Sequence, residues 1–279
     1  MEDSTPLMNM SIYERLKPEL TGRSAAHALT NQQVFLSALG GETRSSAPSL
    51  DQLLEQLGPL PPYTTLIGAC ADGMHLFLDL ADPRPGSLLI VGDRRCGKAQ
   101  LAQSIALAAA RINSPRKVRL AAVAPRPEDF QAVADTPHCF RVIPSYADEA
   151  VQMVLGFAEL TQQRRVGRQP GAAVLLIIAD LARFLGQLDH SMYDLFEWLV
   201  QKGPASSIWP VVTLHTEDVL KVEHRLLSSF GTRLVGKLTN PQIADYLAGG
   251  LPYPFETLRT GQQFCAFTLG EWIEFWIPA

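Results

Sequence analysis

The rhythm of apolar and polar positions changes near residue 63. Before that point, residues 12–20 and 31–39 read as weakly amphipathic segments. A polar stretch, GGETRSSAPS, separates them from SLDQLLEQLG, where Ser49, Asp51 and Gln52 predict a helix start and Gly58 its stop. Beyond residue 63, short apolar runs alternate with helical periodicity. TTLIGAC and MHLFLDL flank Asp72-Gly73 and predict a β-hairpin. LLIV at 88–91, KVRLAAVAP, FRVIP, the run from Val174 to Ala179, and IWPVVTLH read as strands. Helices are expected after Lys98, near 127–134, over 148–165 with apolar Val151, Val154, Leu155, Ala158 and Leu160, and over 181–188. This alternation predicts an α/β domain with a mostly parallel central sheet over residues 63–279, preceded by a small helical arm and linker over 1–62. The arm is expected to pack on the main domain or on a neighbour.

Composition narrows the setting. The 279 residues suit one large domain with a short appendage, and 47% apolar with 19% charged residues is ordinary for a globular chain. A formal charge of −4 argues against a general polyanion-binding surface, so DNA contact needs a local basic stripe. Cys70, Cys96, Cys139 and Cys265 are widely spaced without a CxxC pair, which suggests neither a zinc site nor a disulfide framework. A reduced, cytoplasmic setting is expected, with no membrane span, because no apolar run reaches about 20 residues.

The candidate chemistry lies in SLLIVGDRRCGKAQLAQSIALAAA, residues 87–110. A strand leads into Gly92, Asp93, Arg94, Arg95, Cys96, Gly97, Lys98 and Ala99, and an alanine-rich helix follows. In the phosphate-loop pattern GxxxxGK[ST], backbone N–H groups cradle phosphate, the lysine reaches the outer phosphates, and the hydroxyl holds Mg²⁺. Spacing and lysine are kept here, whereas the hydroxyl position is Ala99. The loop therefore implies ATP or ADP without a direct metal ligand, or a relic that folds empty. No metal-ligating set is identified. Arg94 and Arg95 stand where small residues are more usual, and either added phosphate contacts or obstruction follows from that.

Two further positions close buried strands. Asp180 ends the run 174–179, where a carboxylate either holds Mg²⁺ at the crevice of an open sheet or caps the next helix. His215 ends IWPVVTLH, where it either senses phosphate or hydrogen-bonds locally.

Taken in order, several stretches resemble the FtsK/SpoIIIE branch of the FtsK–HerA P-loop ATPases over about residues 66–277. They are the entry IGACADGMHLFLDLADPRPGSLLIVG, then INSPRKVRLAAVAPRPEDF, then TPHCFRVIPSYADEAVQMVLGFAELTQQR, the region SSFGTRLVGKLTNPQIADYLAGG, and the close LRTGQQFCAFTLGEWIEFWIP. The resemblance implies a RecA-like P-loop NTPase fold. It also sets a register in which the family's Asp-Glu-Phe-Ala-Asp-Leu falls on Ala179 to Phe184, so Ala179 replaces the magnesium-linked Asp and Asp180 the longer catalytic Glu. His215 stands at the family's sensor glutamine, and Arg233 at an arginine that in a ring of subunits could face a neighbour's nucleotide, unless it is a surface salt-bridge residue.

Ala99, Ala179, Asp180 and His215 thus depart together. Losing both the loop hydroxyl and the strand-end Asp removes the usual means of holding the metal that neutralises charge in phosphoryl transfer. The leading expectation is a pseudo-ATPase, binding ATP or ADP weakly or not at all, that serves as a structural or regulatory subunit in a homo-oligomer or beside other P-loop ATPases. An ATP-driven DNA translocase rebuilt around Asp180 and His215 is the second reading, and a component of a type VII-like secretion ATPase the third.

Overall fold

The computed structural model describes residues 48–167, 171–249, 251–268 and 271–278. The amphipathic segments expected at 12–20 and 31–39 lie outside the described residues. The first element is α1 (Leu50–Leu57), and its start is a reciprocal cap: Gln52 N–H donates to the Ser49 hydroxyl, and Ser49 N–H donates to the Gln52 side chain. The buried Leu53 of this helix clusters with Leu66, Phe77 and Ala108, so α1 lies on the domain.

The expected hairpin follows as β1 (Thr64–Cys70) and β2 (His75–Asp79), paired antiparallel. Then come β3 (Leu88–Gly92) and α2 (Lys98–Ile112); β4 (Val118–Ala124) with a single 3-10 turn and α3 (Gln131–Ala134); and β5 (Cys139–Pro144) with α4 (Asp148–Arg165). Next are β6 (Ala173–Ile178) with α5 (Leu181–Leu185), α6 (His190–Lys202), and β7 (Ile208–His215). The chain closes with α7 (His224–Ser228), β8 (Thr232–Val235), α8 (Pro241–Ala248), β9 (Gln263–Thr268) and β10 (Glu271–Trp276).

Among the described residues the strands form one ten-stranded sheet in the order β2-β1-β10-β9-β8-β3-β7-β6-β4-β5. From β8 to β5 neighbours run parallel, and from β9 to β2 they run antiparallel. Every residue of β3 and β6 is buried, as expected where helices cover both faces of parallel strands. Leu88 and Ile90 join the core on the α2 side with Leu101 and Ile105, whereas Leu89 and Val91 join the opposite core with Val154, Phe184 and Phe196. The alanines of α2 let it lie close to the sheet: Ala102, Ala106 and Ala109 have no exposed surface. Its last turn holds the hairpin, because Asn113 accepts from Tyr63 N–H at 2.6 Å and donates to Thr64 O at 2.9 Å.

One expected boundary is corrected. The helix expected over 181–188 ends at Leu185, because Gly186 closes it and Asp189 already caps the next helix through Met192 N–H at 2.8 Å. Among the described residues no helix is long and apolar enough to cross a membrane.

Trp209 on β7 is fully buried and its indole N–H donates to Leu80 O at 3.3 Å, linking the parallel strands to the end of the hairpin. Trp209→Ala is expected to cost about 3–5 kcal/mol in urea unfolding, and Trp209→Phe much less, because the ring volume largely remains and one bond of about 1 kcal/mol is lost.

Candidate nucleotide-phosphate site

Parallel strands bring their carboxyl ends to one edge, and three adjacent strands deliver the candidate residues there. β3 ends at Gly92, β7 ends at His215, and Gly92 pairs with His215 in register. β6 lies on the far side of β7, and Asp180 follows it by two residues. Asp180 N–H donates to the Thr213 hydroxyl at 2.9 Å, which fixes the exit of β6 against β7.

The loop after β3 has the form its glycines require. Gly97 sits at φ +95°, and a Cβ there would lie 2.9 Å from Gly261 Cα; a Cβ on Gly92 would lie 2.4 Å from Cys96 Sγ. Arg95 also adopts a left-handed conformation, φ +62°, with its side chain exposed. Neighbouring segments brace the loop. Asp93 N–H donates to Lys237 O at 2.9 Å, the Asp93 carboxylate accepts from Thr239 N–H at 2.9 Å and its hydroxyl at 2.8 Å, and Gly261 N–H donates to Cys96 O at 3.1 Å. The Asp93 side chain is thus a strut, and the Cys96 thiol is buried with its pKa raised by desolvation. What the loop offers a ligand is the first turn of α2, whose N–H groups at Lys98, Ala99 and Gln100 have no intrahelical acceptor, and the positive end of a helix of 15 residues.

Lys98 is the one buried cation of the loop. Its ammonium donates to Gly92 O at 2.8 Å and to Asp93 O at 2.7 Å, while burial lowers its pKa. It also reaches the Cys96 Sγ at 3.8 Å, and a charged group with no carboxylate among its hydrogen-bond partners is incompletely compensated, which suits it to an incoming anion. Beside it, His215 has its pKa lowered, first by burial and then by the Lys98 charge. His215 Nδ1 and Thr216 Oγ1 are buried without a hydrogen-bond partner among the described residues. These orphaned atoms and the pinched glycine cradle fit the phosphates of a nucleotide.

The same residues do not fit the usual magnesium set. Ala99 and the buried Ala179 carry no oxygen on their side chains, and the Asp180 carboxylate caps α5 by accepting from Arg183 N–H at 3.2 Å. Asp180 therefore performs the capping role, at φ +72°, while its charge also acts on Lys98, Arg94 and His215. Among the described residues no group of three or more His, Cys, Asp or Glu could hold a metal ion.

Arg233 is not brought to this edge. It pairs with Leu89 towards the start of β3, is half-buried, donates to Leu227 O at 3.3 Å, and lines a small cavity with His224, Ser228 and Tyr246. Sequence reasoning missed Thr213, Thr239, Gly261 and Glu217. Thr213 carries a weak signal as a polar residue inside an apolar strand; the other three carry none, since their partners are distant in the chain.

No protein-family model and no curated protein matches the chain. Solved structures do match its fold. Thermomonospora curvata EccC (ATPases 2 and 3), in complex with a signal sequence peptide, superposes with a TM-score of 0.65 at 16% identity over 86% of this chain and 44% of that one. EssC (ATPases 2 and 3) from Geobacillus thermodenitrificans gives 0.65 at 13% identity over 80% and 48%. The pCW3 conjugation coupling protein TcpA, a monomer form with ATPγS, gives 0.63 at 12% over 85% and 71%. The fold is thus that of P-loop ATPase domains, and the chain spans less than half the length of the EccC and EssC chains.

Gly97→Ala is expected to cost about 1–3 kcal/mol in urea unfolding, from the left-handed backbone and the contact with Gly261. For His215, the folded state takes up a proton less readily than the unfolded state. Its contribution to stability is complete above the unfolded value of about 6.5 and is lost as pH falls through the folded value; in His215→Gln this part of the pH dependence disappears, as urea midpoints between pH 5 and 8 will show.

Proposed function

We propose that the chain is a P-loop protein that binds ATP or ADP through the loop at residues 92–99 without the usual magnesium ligands, hydrolyses it weakly or not at all, and serves as a structural or regulatory subunit of an ATPase assembly. The observation that carries this reading is the pairing of an intact cradle with alanines at both metal positions. The N–H groups of the α2 first turn and the Lys98 ammonium would hold the phosphates, and Gly92 and Gly97 let the backbone approach them closely. A bound nucleotide brings the phosphate charge that these groups neutralise. His215, at the end of β7, and Thr216 just after it can offer polar atoms to the outer phosphates. Asp180, committed to its helix cap, lacks a partner metal at Ala179 and is short for a base, which supports slow or absent turnover.

The assembly reading, in which the chain works in a homo-oligomer or beside other P-loop ATPases of FtsK/SpoIIIE type, is supported by the likeness of its fold to EccC and EssC structures described as holding ATPases 2 and 3. That likeness also favours a secretion-type assembly as the second reading. The DNA-translocase reading draws on TcpA, a conjugation coupling protein, and is opposed by the acidic balance of the chain. In either assembly Arg233 would act, if on phosphate, on that of a neighbouring subunit.

Calorimetry and a phosphate-release assay test the reading together. ATP is expected to bind the wild type equally well with Mg²⁺ or EDTA, Lys98→Ala is expected to abolish binding, and phosphate release is expected to stay at background. Ala99→Thr combined with Ala179→Asp is expected to make binding tighter with Mg²⁺ than with EDTA. Magnesium-dependent turnover by the wild type contradicts the reading.

A further inference from the structure

Arg94 lies two residues beyond Gly92, at the mouth of the loop, and its Nε and Nη2 both donate to Glu217 Oε1. Glu217 itself lies two residues beyond His215, so the pair bridges the segments that follow the adjacent strands β3 and β7, at the edge that carries the candidate phosphate site. Both side chains are well exposed, 70% for Arg94 and 49% for Glu217. An exposed ion pair is held weakly, because water and salt compete with it. The surrounding charges mark the place: the Asp180 charge acts on Arg94, and the charges of both Arg94 and Lys98 act on His215.

Resting on the nucleotide-binding reading above, we infer that Arg94 is a specificity-determining residue of the site: it exchanges the Glu217 carboxylate for the terminal phosphate of a metal-free nucleoside triphosphate. Glu217 is the built-in competitor that keeps the guanidinium at the mouth of the loop until an anion of higher charge arrives. A guanidinium forms paired, charge-assisted bonds to phosphate oxygens as it does to a carboxylate, so the exchange preserves the number of strong bonds while adding charge neutralisation. In this way the chain compensates on one side of the phosphates, through Arg94, for the cation that Ala99 and Ala179 cannot hold. The proposal gives the two features that distinguish this loop, arginine gained and hydroxyl lost, a single account. It also predicts a preference for ATP over ADP, because ADP lacks the terminal phosphate that Arg94 takes, whereas the phosphates ADP keeps are served by the α2 first turn and Lys98.

The test is calorimetric titration of ATP and of ADP, in EDTA, into the wild type, Arg94→Ala, Glu217→Gln and Lys98→Ala. Arg94→Ala is expected to weaken ATP about tenfold, the scale of one charged hydrogen bond, and to change ADP little. Glu217→Gln is expected to strengthen ATP several-fold by freeing the guanidinium. Equal ATP affinities in the wild type and Arg94→Ala, with Lys98→Ala still impaired, overturn the exchange and leave the nucleotide site standing. Absence of binding by the wild type, or binding unaffected in Lys98→Ala, overturns the site itself and the exchange with it. A change in unfolding midpoint cannot mimic the expected result, since it would affect ATP and ADP alike.

Discussion

The constraint on which the rest depends is the burial of the Lys98 ammonium among backbone carbonyls at the turn from β3 into α2. A cation in that position is tolerable only if the chain around it is held tightly, and the surrounding structure supplies the holding: Thr239 grips the Asp93 carboxylate, Lys237 O accepts the Asp93 N–H, and Gly261 N–H bonds to Cys96 O. These braces come from the segment after β8 and the turn before β9, so the antiparallel strands help to shape a loop that belongs to the parallel half. The alanine face of α2 does the same from below by letting the helix start close against the sheet.

Much of this architecture can be read from residue pattern. Ser49 and Gln52 stand three apart before an apolar run and form the reciprocal cap, and the apolar runs 88–91 and 174–179 are buried strands because helices cover both faces. Glycine spacing with a lysine fixed the position of the loop. Less was legible where partners meet across long separations. Nothing local announces that Thr239 binds Asp93 or that Glu217 meets Arg94, both more than a hundred residues apart in the chain. The helix α6 is not among the expected elements either, although Asp189 before Met192, Tyr193, Phe196, Leu199 and Val200 carries the cap and the apolar spacing.

Asp180 shows why a residue type at a strand end does not decide chemistry alone. Both readings of it, acid and cap, follow from the sequence, and geometry weights them: the carboxylate faces Arg183 N–H while the backbone N–H is tied to Thr213. Arg233 illustrates the reverse case, a residue singled out by resemblance that the topology carries to the other end of the central strands from the loop. Sites of this class are assembled by the sheet order: the parallel strands bring their carboxyl ends to one edge, where the residues that follow β3, β6, β7 and β8 meet.

The central claim is that the cradle for phosphate persists while the means of holding a metal has gone. Crystals grown with ATPγS and Mn²⁺, with data collected at the manganese absorption edge, test it most directly. The account predicts phosphate density inside the loop, with the Lys98 ammonium moved from Gly92 O and Asp93 O onto it, and no anomalous peak beside Ala99 and Ala179. A manganese peak ligated there, or a loop without nucleotide whose lysine keeps both carbonyls, would contradict it.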